Sequence, residues 1–184
     1  KLCKTKYCVA LNSGTDALVC GLLALGVRKG DEVITPPNSF IASTAAIVHI
    51  GAIPRFVDVV EDQNIDPKKI EKSINNKTAA IMPVHLTGRM ARMEEIFRIS
   101  RKYKIPIIED AAQAIGSYYR NKMSGSWGEV GCFSTHPLKN LNACGDGGFI
   151  VTNNKKIFQF VKSVRNHGMI ERNKVERFGH VSRM

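Results

Sequence analysis

The chain has 184 residues, 43% hydrophobic and 23% charged, with 15 glycines, 7 prolines and a formal net charge of +11 at pH 7. That composition suits one globular domain with a substantial core, and no apolar run approaches the roughly 18–20 residues that span a bilayer. The basic residues are scattered and never interleaved with aromatics, so the charge reads as a diffuse attraction for small anions; nucleic acid and membrane are not expected as partners.

Strand and helix signals alternate along the sequence. Tyr7 to Leu11 is an apolar, β-leaning run that ends in Asn12-Ser13-Gly14-Thr15, and the apolar residues from Asp16 to Leu25 then recur at helical spacing until Gly26. Backbone N–H groups at such a helix start, with the hydroxyls beside them, suit a phosphate; plain N-capping by Ser13 or Thr15 is the alternative. Asp31 to Thr35 predicts a strand stopped by Pro36-Pro37, Ser39 to Ile50 a helix, and Ile53 to Val59 a third strand. Asp66 and Pro67 open a short helix through Ile74.

Thr78 to His85 predicts the fourth strand, Met90 to Tyr103 an amphipathic helix, and Ile105 to Ile108 a fifth strand running into Glu109-Asp110. Arg120 to Glu129 reads as a Gly/Ser-rich loop. Val130 to Ser134 and Phe149 to Thr152 read as strands, and Asn154 to Val164 as a helix. Continuous apolar strands alternating with helices indicate an α/β domain: a three-layer α/β/α arrangement with a mostly parallel central sheet covered on both faces. Ligands of such sheets bind at the carboxyl ends of strands, where Ser13, Phe40, His85, Asp110 and Ser134 all fall.

Lys139 stands out because Pro137, Leu138, Asn140 and Leu141 surround it. It is either a surface lysine or a reactive amine that holds a carbonyl cofactor. Asp110 follows an apolar run, where a carboxylate is costly unless paired; it either caps the next segment or meets a cationic ring nitrogen. Phe40 is either core or a lid over a planar ligand. A lysine and an aspartate so placed suggest pyridoxal phosphate, which needs a Schiff-base lysine, an acid on the pyridinium nitrogen, a ring stacker and a phosphate cradle. Phe40 would stack on the ring, and Gly14, Thr15 and Ser134 would hold the phosphate. A dinucleotide site is excluded because G-x-G-x-x-G does not follow the first strand, and no Walker A string occurs. The five histidines lack metalloenzyme spacing, so no metal is expected. Cysteines at 3, 8, 20, 132 and 144 form no disulfide or zinc pattern and fit a reducing, cytoplasmic compartment.

The ordered strings NSGTDAL, DEVITPPNSF, PVHLTG, IIEDAAQAIG, FSTHPLKNLNACGDGGFIVT and RNHGM resemble the DegT/StrS family of sugar aminotransferases over essentially the whole chain. The resemblance implies the pyridoxal-phosphate-dependent fold type I, with Lys139 as the Schiff-base lysine, Asp110 on the pyridine nitrogen and Gln113 near the cofactor's ring hydroxyl. It implies transfer of an amino group from an amino acid, glutamate by expectation, to a nucleotide-linked keto-sugar by a homodimer. A branch of sugar dehydratases carries histidine where Lys139 stands, so the lysine favours amino transfer over dehydration. A cofactor-binding regulator of the same fold is the other alternative. One departure is Val181, which replaces the asparagine that in the family reaches the partner subunit's cofactor phosphate. The sequence starts at Lys1 with no signal peptide and reads as an incomplete large domain, residues 1–184, with an N-terminal helix and a small C-terminal domain expected outside it. Such a piece is expected to be poorly active alone.

Overall fold

The computed structural model describes residues 2–184. Its strands are β1 (Tyr7–Leu11), β2 (Glu32–Thr35), β3 (Ile53–Phe56), β4 (Thr78–Ile81), β5 (Ile108–Asp110), β6 (Tyr118–Tyr119), β7 (Lys122–Met123), β8 (Val130–Ser134), β9 (Gly148–Thr152), β10 (Met169–Glu171) and β11 (Lys174–Val175). The helices are α1 (Gly14–Ala24), α2 (Ile41–His49), α3 (Pro67–Ser73), α4 (Met93–Tyr103) and α5 (Lys155–Val164). β2 pairs in parallel with β3 and β4, and β5 in parallel with β8. Parallel bridges from Ile81 to Ile107 and from Val84 to Asp110 join the two groups into one sheet of order β3-β2-β4-β5-β8-β9-β1. β9 runs against both its neighbours, so the sheet is mostly parallel with one reversed strand.

Alternation along each strand splits the apolar runs between two faces. Val33, Ala80, Ile108, Val130, Cys132 and Ile150 pack with Leu18 and Leu22 of α1, Ala46 and Ile47 of α2 and Val161 of α5. On the opposite face Ile34, Ile81 and Ile107 meet Ile70 of α3 and Met93 and Ile96 of α4, while Phe133 and Val151 meet Met123 of the β6–β7 hairpin. The α/β/α layering expected from the sequence is what the chain adopts. No helix among the described residues is long and apolar enough to cross a membrane.

Several boundaries differ from the sequence reading, each for a local reason. Strand β5 begins at Ile108 rather than Ile105, because the Ile105 N–H turns back to the Ser100 carbonyl and Pro106 has no N–H to give; its pairing extends through Asp110 instead. β4 stops at Ile81 ahead of Pro83, and β3 stops at Phe56, after which Val59 bridges to Ile65. Helix α4 starts at Met93 rather than Met90, because Arg92 with ψ 67° is outside the helical region and the Met93 N–H turns back to the Ala91 carbonyl at 2.6 Å. The stretch 120–129 is not all loop: β7 forms within it, after Arg120 takes a left-handed φ of 53° at the hairpin turn.

Candidate functional site

A cavity of about 270 Å³ opens at the carboxyl ends of the strands, and its wall includes Gly14, Thr15, Phe40, Asp110, Gln113, Ser134 and Lys139. Chain segments as far apart as the β1–α1 turn and the loop after β8 supply them. The sheet thus brings together all the residues singled out in the sequence as cofactor-binding.

Asp110 is the last residue of β5 and is 4% exposed. Oδ2 accepts a hydrogen bond from the Ser43 hydroxyl at 2.6 Å, and Oδ1 accepts one from the Ala112 N–H at 3.1 Å. The local turn proposed as the alternative role is therefore present, but it occupies one oxygen only. Burial pushes the Asp110 carboxyl above its ordinary range; the Ser43 hydroxyl, the Ala112 N–H, then His85 and Lys139 pull it back. None of the ion pairs among the described residues includes this carboxyl. A desolvated acid without a partner cation, at the wall of a cavity, fits a ligand with a protonated ring nitrogen.

Lys139 is half-buried on a turn closed by its own N–H to the His136 carbonyl at 2.8 Å. Its side chain lines the cavity, and Nζ takes part in none of the ion pairs found among the described residues. Phe40, at the N-cap of α2, is 68% exposed, so the core alternative fails and a ring face is available at the cavity rim. Gln113 has its amide oxygen committed to the Thr87 N–H at 2.7 Å, held by a left-handed Thr87 with φ 53°. Its amide nitrogen is the group left to donate to an acceptor oxygen of a ligand.

At the head of α1, Ser13 is the N-cap, its Oγ accepting the Asp16 N–H at 3.1 Å. The earlier N–H groups of that helix have no intrahelical carbonyl to meet and carry the positive end of its dipole. Gly14 lies against Ser134 so closely that a Cβ there would sit 2.6 Å from the Ser134 Cβ. Bare backbone N–H groups and a hydroxyl together make a small anion cradle. The donor set therefore suits a phosphate at one end of the cavity and a cationic ring over Asp110 at the other.

Sequence reasoning passed over Ser39, Ser43 and Asp146, which also line the cavity. Ser43 lay hidden in an Ala/Ile-rich helix, since its partner is 67 residues away. Asp146 sits among glycines between the predicted strands and drew no notice there; it faces Nε2 of His136 at 4.0 Å. His136 lines the cavity, whereas His85 is fully buried away from it and bonds Glu109 Oε2 through Nε2 at 3.0 Å. Because Nδ1 of His85 accepts the Ala91 N–H, the ring proton belongs on Nε2. Val181 forms a bridge with Asn166, while Ser182 beside it bonds the side chain of Asn12 at 3.1 Å. His180 stands 3.6 Å from Asp16 and 3.7 Å from Cys20, but burial pushes that thiol up to about 12, so this is a clip on α1 and not a nucleophile.

Known proteins match this chain in sequence and fold. The chain is 43% identical over 178 residues, 96% of its length, to a UDP-N-acetyl-3-dehydro-alpha-D-glucosamine 3-aminotransferase of Acidithiobacillus ferrooxidans, of which it covers 48%. It is also 43% identical, over 90% of its length, to a pleiotropic regulatory protein of Geobacillus stearothermophilus, of which it covers 45%. The fold superposes on the crystal structure of Streptomyces venezuelae DesV in complex with a ketimine intermediate with a TM-score of 0.97 at 40% identity, covering all of this chain and 50% of that one. The chain thus spans about half the length of the relatives it matches, and its architecture is the α/β/α fold type I of pyridoxal-phosphate-dependent aminotransferases. With the family's sequence model matched from residue 1 to residue 184, the chain belongs to the DegT/DnrJ/EryC1/StrS aminotransferase family.

Proposed function

We propose that the whole protein is a pyridoxal-phosphate-dependent aminotransferase that passes an amino group from an amino acid, glutamate in the first instance, to a nucleotide-linked keto-sugar. The observation that carries this reading is that buried Asp110 and the Lys139 amine, neither in an ion pair among the described residues, line one cavity. When bound, pyridoxal phosphate supplies an electrophilic carbon for amines and a ring that accepts the electron pair released at the substrate carbon. Lys139 would hold the cofactor through Nζ, and the same amine would serve as the base that takes the proton from the substrate carbon. Asp110 would keep the ring nitrogen protonated, Phe40 would cover the ring, and the Gln113 amide would donate to the ring oxygen. Gly14, Thr15 and Ser134 hold the phosphate. A homodimer in the cytoplasm belongs to the same reading, with residues 1–184 forming the cofactor-binding large domain.

Absorption spectroscopy of the full-length protein loaded with pyridoxal phosphate tests it. The expected result is a visible band that Lys139→Ala abolishes and that glutamate bleaches. A band indifferent to every amino donor would leave a dehydratase or a regulator, the role for which one 43% identical relative is named. No band would overturn the cofactor assignment.

A further inference from the structure

We propose that Ser43 is a positioning residue for Asp110, aiming the carboxylate into the cavity, and that Ser39 sets the direction of the Ser43 hydroxyl. The proposal rests on the cofactor reading above for its consequence, though not for its geometry. Ser43 is 1% exposed and has one proton to give. That proton goes to Asp110 Oδ2 at 2.6 Å. The Ser39 hydroxyl, 2.6 Å from Ser43 Oγ, is then the donor of that second contact. Two hydroxyl protons therefore point in series toward one carboxylate oxygen, while the Ala112 N–H holds the other at 3.1 Å.

The two serines flank Phe40 on a tight turn, closed by the Ser43 N–H bonding the Phe40 carbonyl at 3.2 Å. One short segment thus presents the exposed ring at the rim and delivers the hydroxyl to the buried acid, so ring and carboxylate are set relative to each other by the first turn of α2. Among the influences on the Asp110 carboxyl, the Ser43 hydrogen bond is the largest that opposes burial. A buried charge-assisted hydrogen bond of this kind is strong and directional.

The test uses the full-length protein in two states. Without cofactor, the Asp110 carboxyl is titrated by carbon NMR, with Asp110→Asn to assign the signal. Its midpoint is expected to move up in Ser43→Ala, to return toward the parent value in Ser43→Thr, and to move up by less in Ser39→Ala. With cofactor, Ser43→Ala is expected to keep the visible band but to slow its bleaching by glutamate roughly 10-fold, with the donor concentration for half-maximal rate little changed. An unmoved midpoint in Ser43→Ala overturns the proposal, as does a midpoint in Ser43→Thr that matches the alanine variant. If Ser43→Ala does not fold, Ser39→Ala decides: a midpoint equal to the parent's overturns the proposal. A parent protein with no band sinks the cofactor reading alone, and the cofactor-free titration still decides this one.

Discussion

Asp110 is held where water cannot solvate it, and that placement has a measurable cost when nothing cationic lies over it. Its folded-state proton is bound more tightly than in the unfolded chain, since burial raises the carboxyl above its ordinary range. The sign follows from linkage: its contribution to stability is fully present below the ordinary carboxylate range and is lost as pH rises through the raised value. Asp110→Asn is therefore expected to be at least as stable as the parent at pH 7 when both lack cofactor, with the advantage vanishing near pH 3–4. Thermal melts at the two pH values check this, and the same variant should fail to protonate the ring nitrogen of the bound cofactor. A residue that harms stability where function needs it is the expected signature of a binding site. Lys139 and Asp110, which meet at the cavity, were legible as candidates in the sequence because each is a charge in apolar surroundings. Ser43 was not, because a serine in a helix has no distinguishing neighbours and its hydrogen bond is long-range.

Two adjacent carboxylates at the end of β5 do different work because strand alternation sends them to opposite faces. Glu109, fully buried, accepts the N–H groups of Gly125, Trp127 and Gly128 at 2.8, 2.7 and 2.7 Å in addition to Nε2 of His85. It shapes the segment that follows the β6–β7 hairpin and fixes it beneath the strand whose end carries Asp110. Glu109→Gln replaces one acceptor oxygen by an NH2 that faces other donors. At roughly 1–3 kcal/mol per buried donor left unpaired, and about 2–4 °C per kcal/mol in a domain of this size, the melting temperature should fall by several degrees at least. An unchanged melting temperature would show that the loop does not depend on this carboxylate. The sequence announced the strand but not this role, since the partners of Glu109 are backbone groups in a stretch whose Gly/Ser content carries no periodic signal. Element boundaries slipped for similar reasons: Pro83 and Pro106 end pairing on one edge of the chain without ending the extended conformation, and apolar content alone does not distinguish the two.

The layered architecture was legible throughout, because strands buried on both faces must be apolar at every position and their helices must be amphipathic or small. The reversal of β9 was not, since a five-residue apolar strand looks the same in either direction. That reversal brings the chain back to its own beginning. β1 has β9 as its partner in the sheet, with Tyr7 opposite Thr152 and Leu11 opposite Gly148. The turn that cradles the anion hangs from the end of β1, and Ser182 fastens it from the other side through Asn12. β1 is thus paired in the sheet only with a strand more than a hundred positions downstream. The parallel strands β2, β3, β4, β5 and β8 are joined by nearer neighbours, whereas β1 must wait for residues more than a hundred positions downstream, a slow closure by contact order. On the function proposed above, a phosphorylated ligand would meet a complete cradle only after this pairing forms, so its capture is expected to follow folding and not to nucleate it. In refolding experiments, pyridoxal phosphate is expected to leave the folding rate unchanged and to slow unfolding; a faster folding phase in its presence would place the cradle early instead. On that expectation the chemical site is, in temporal terms, the seal on a sheet already built.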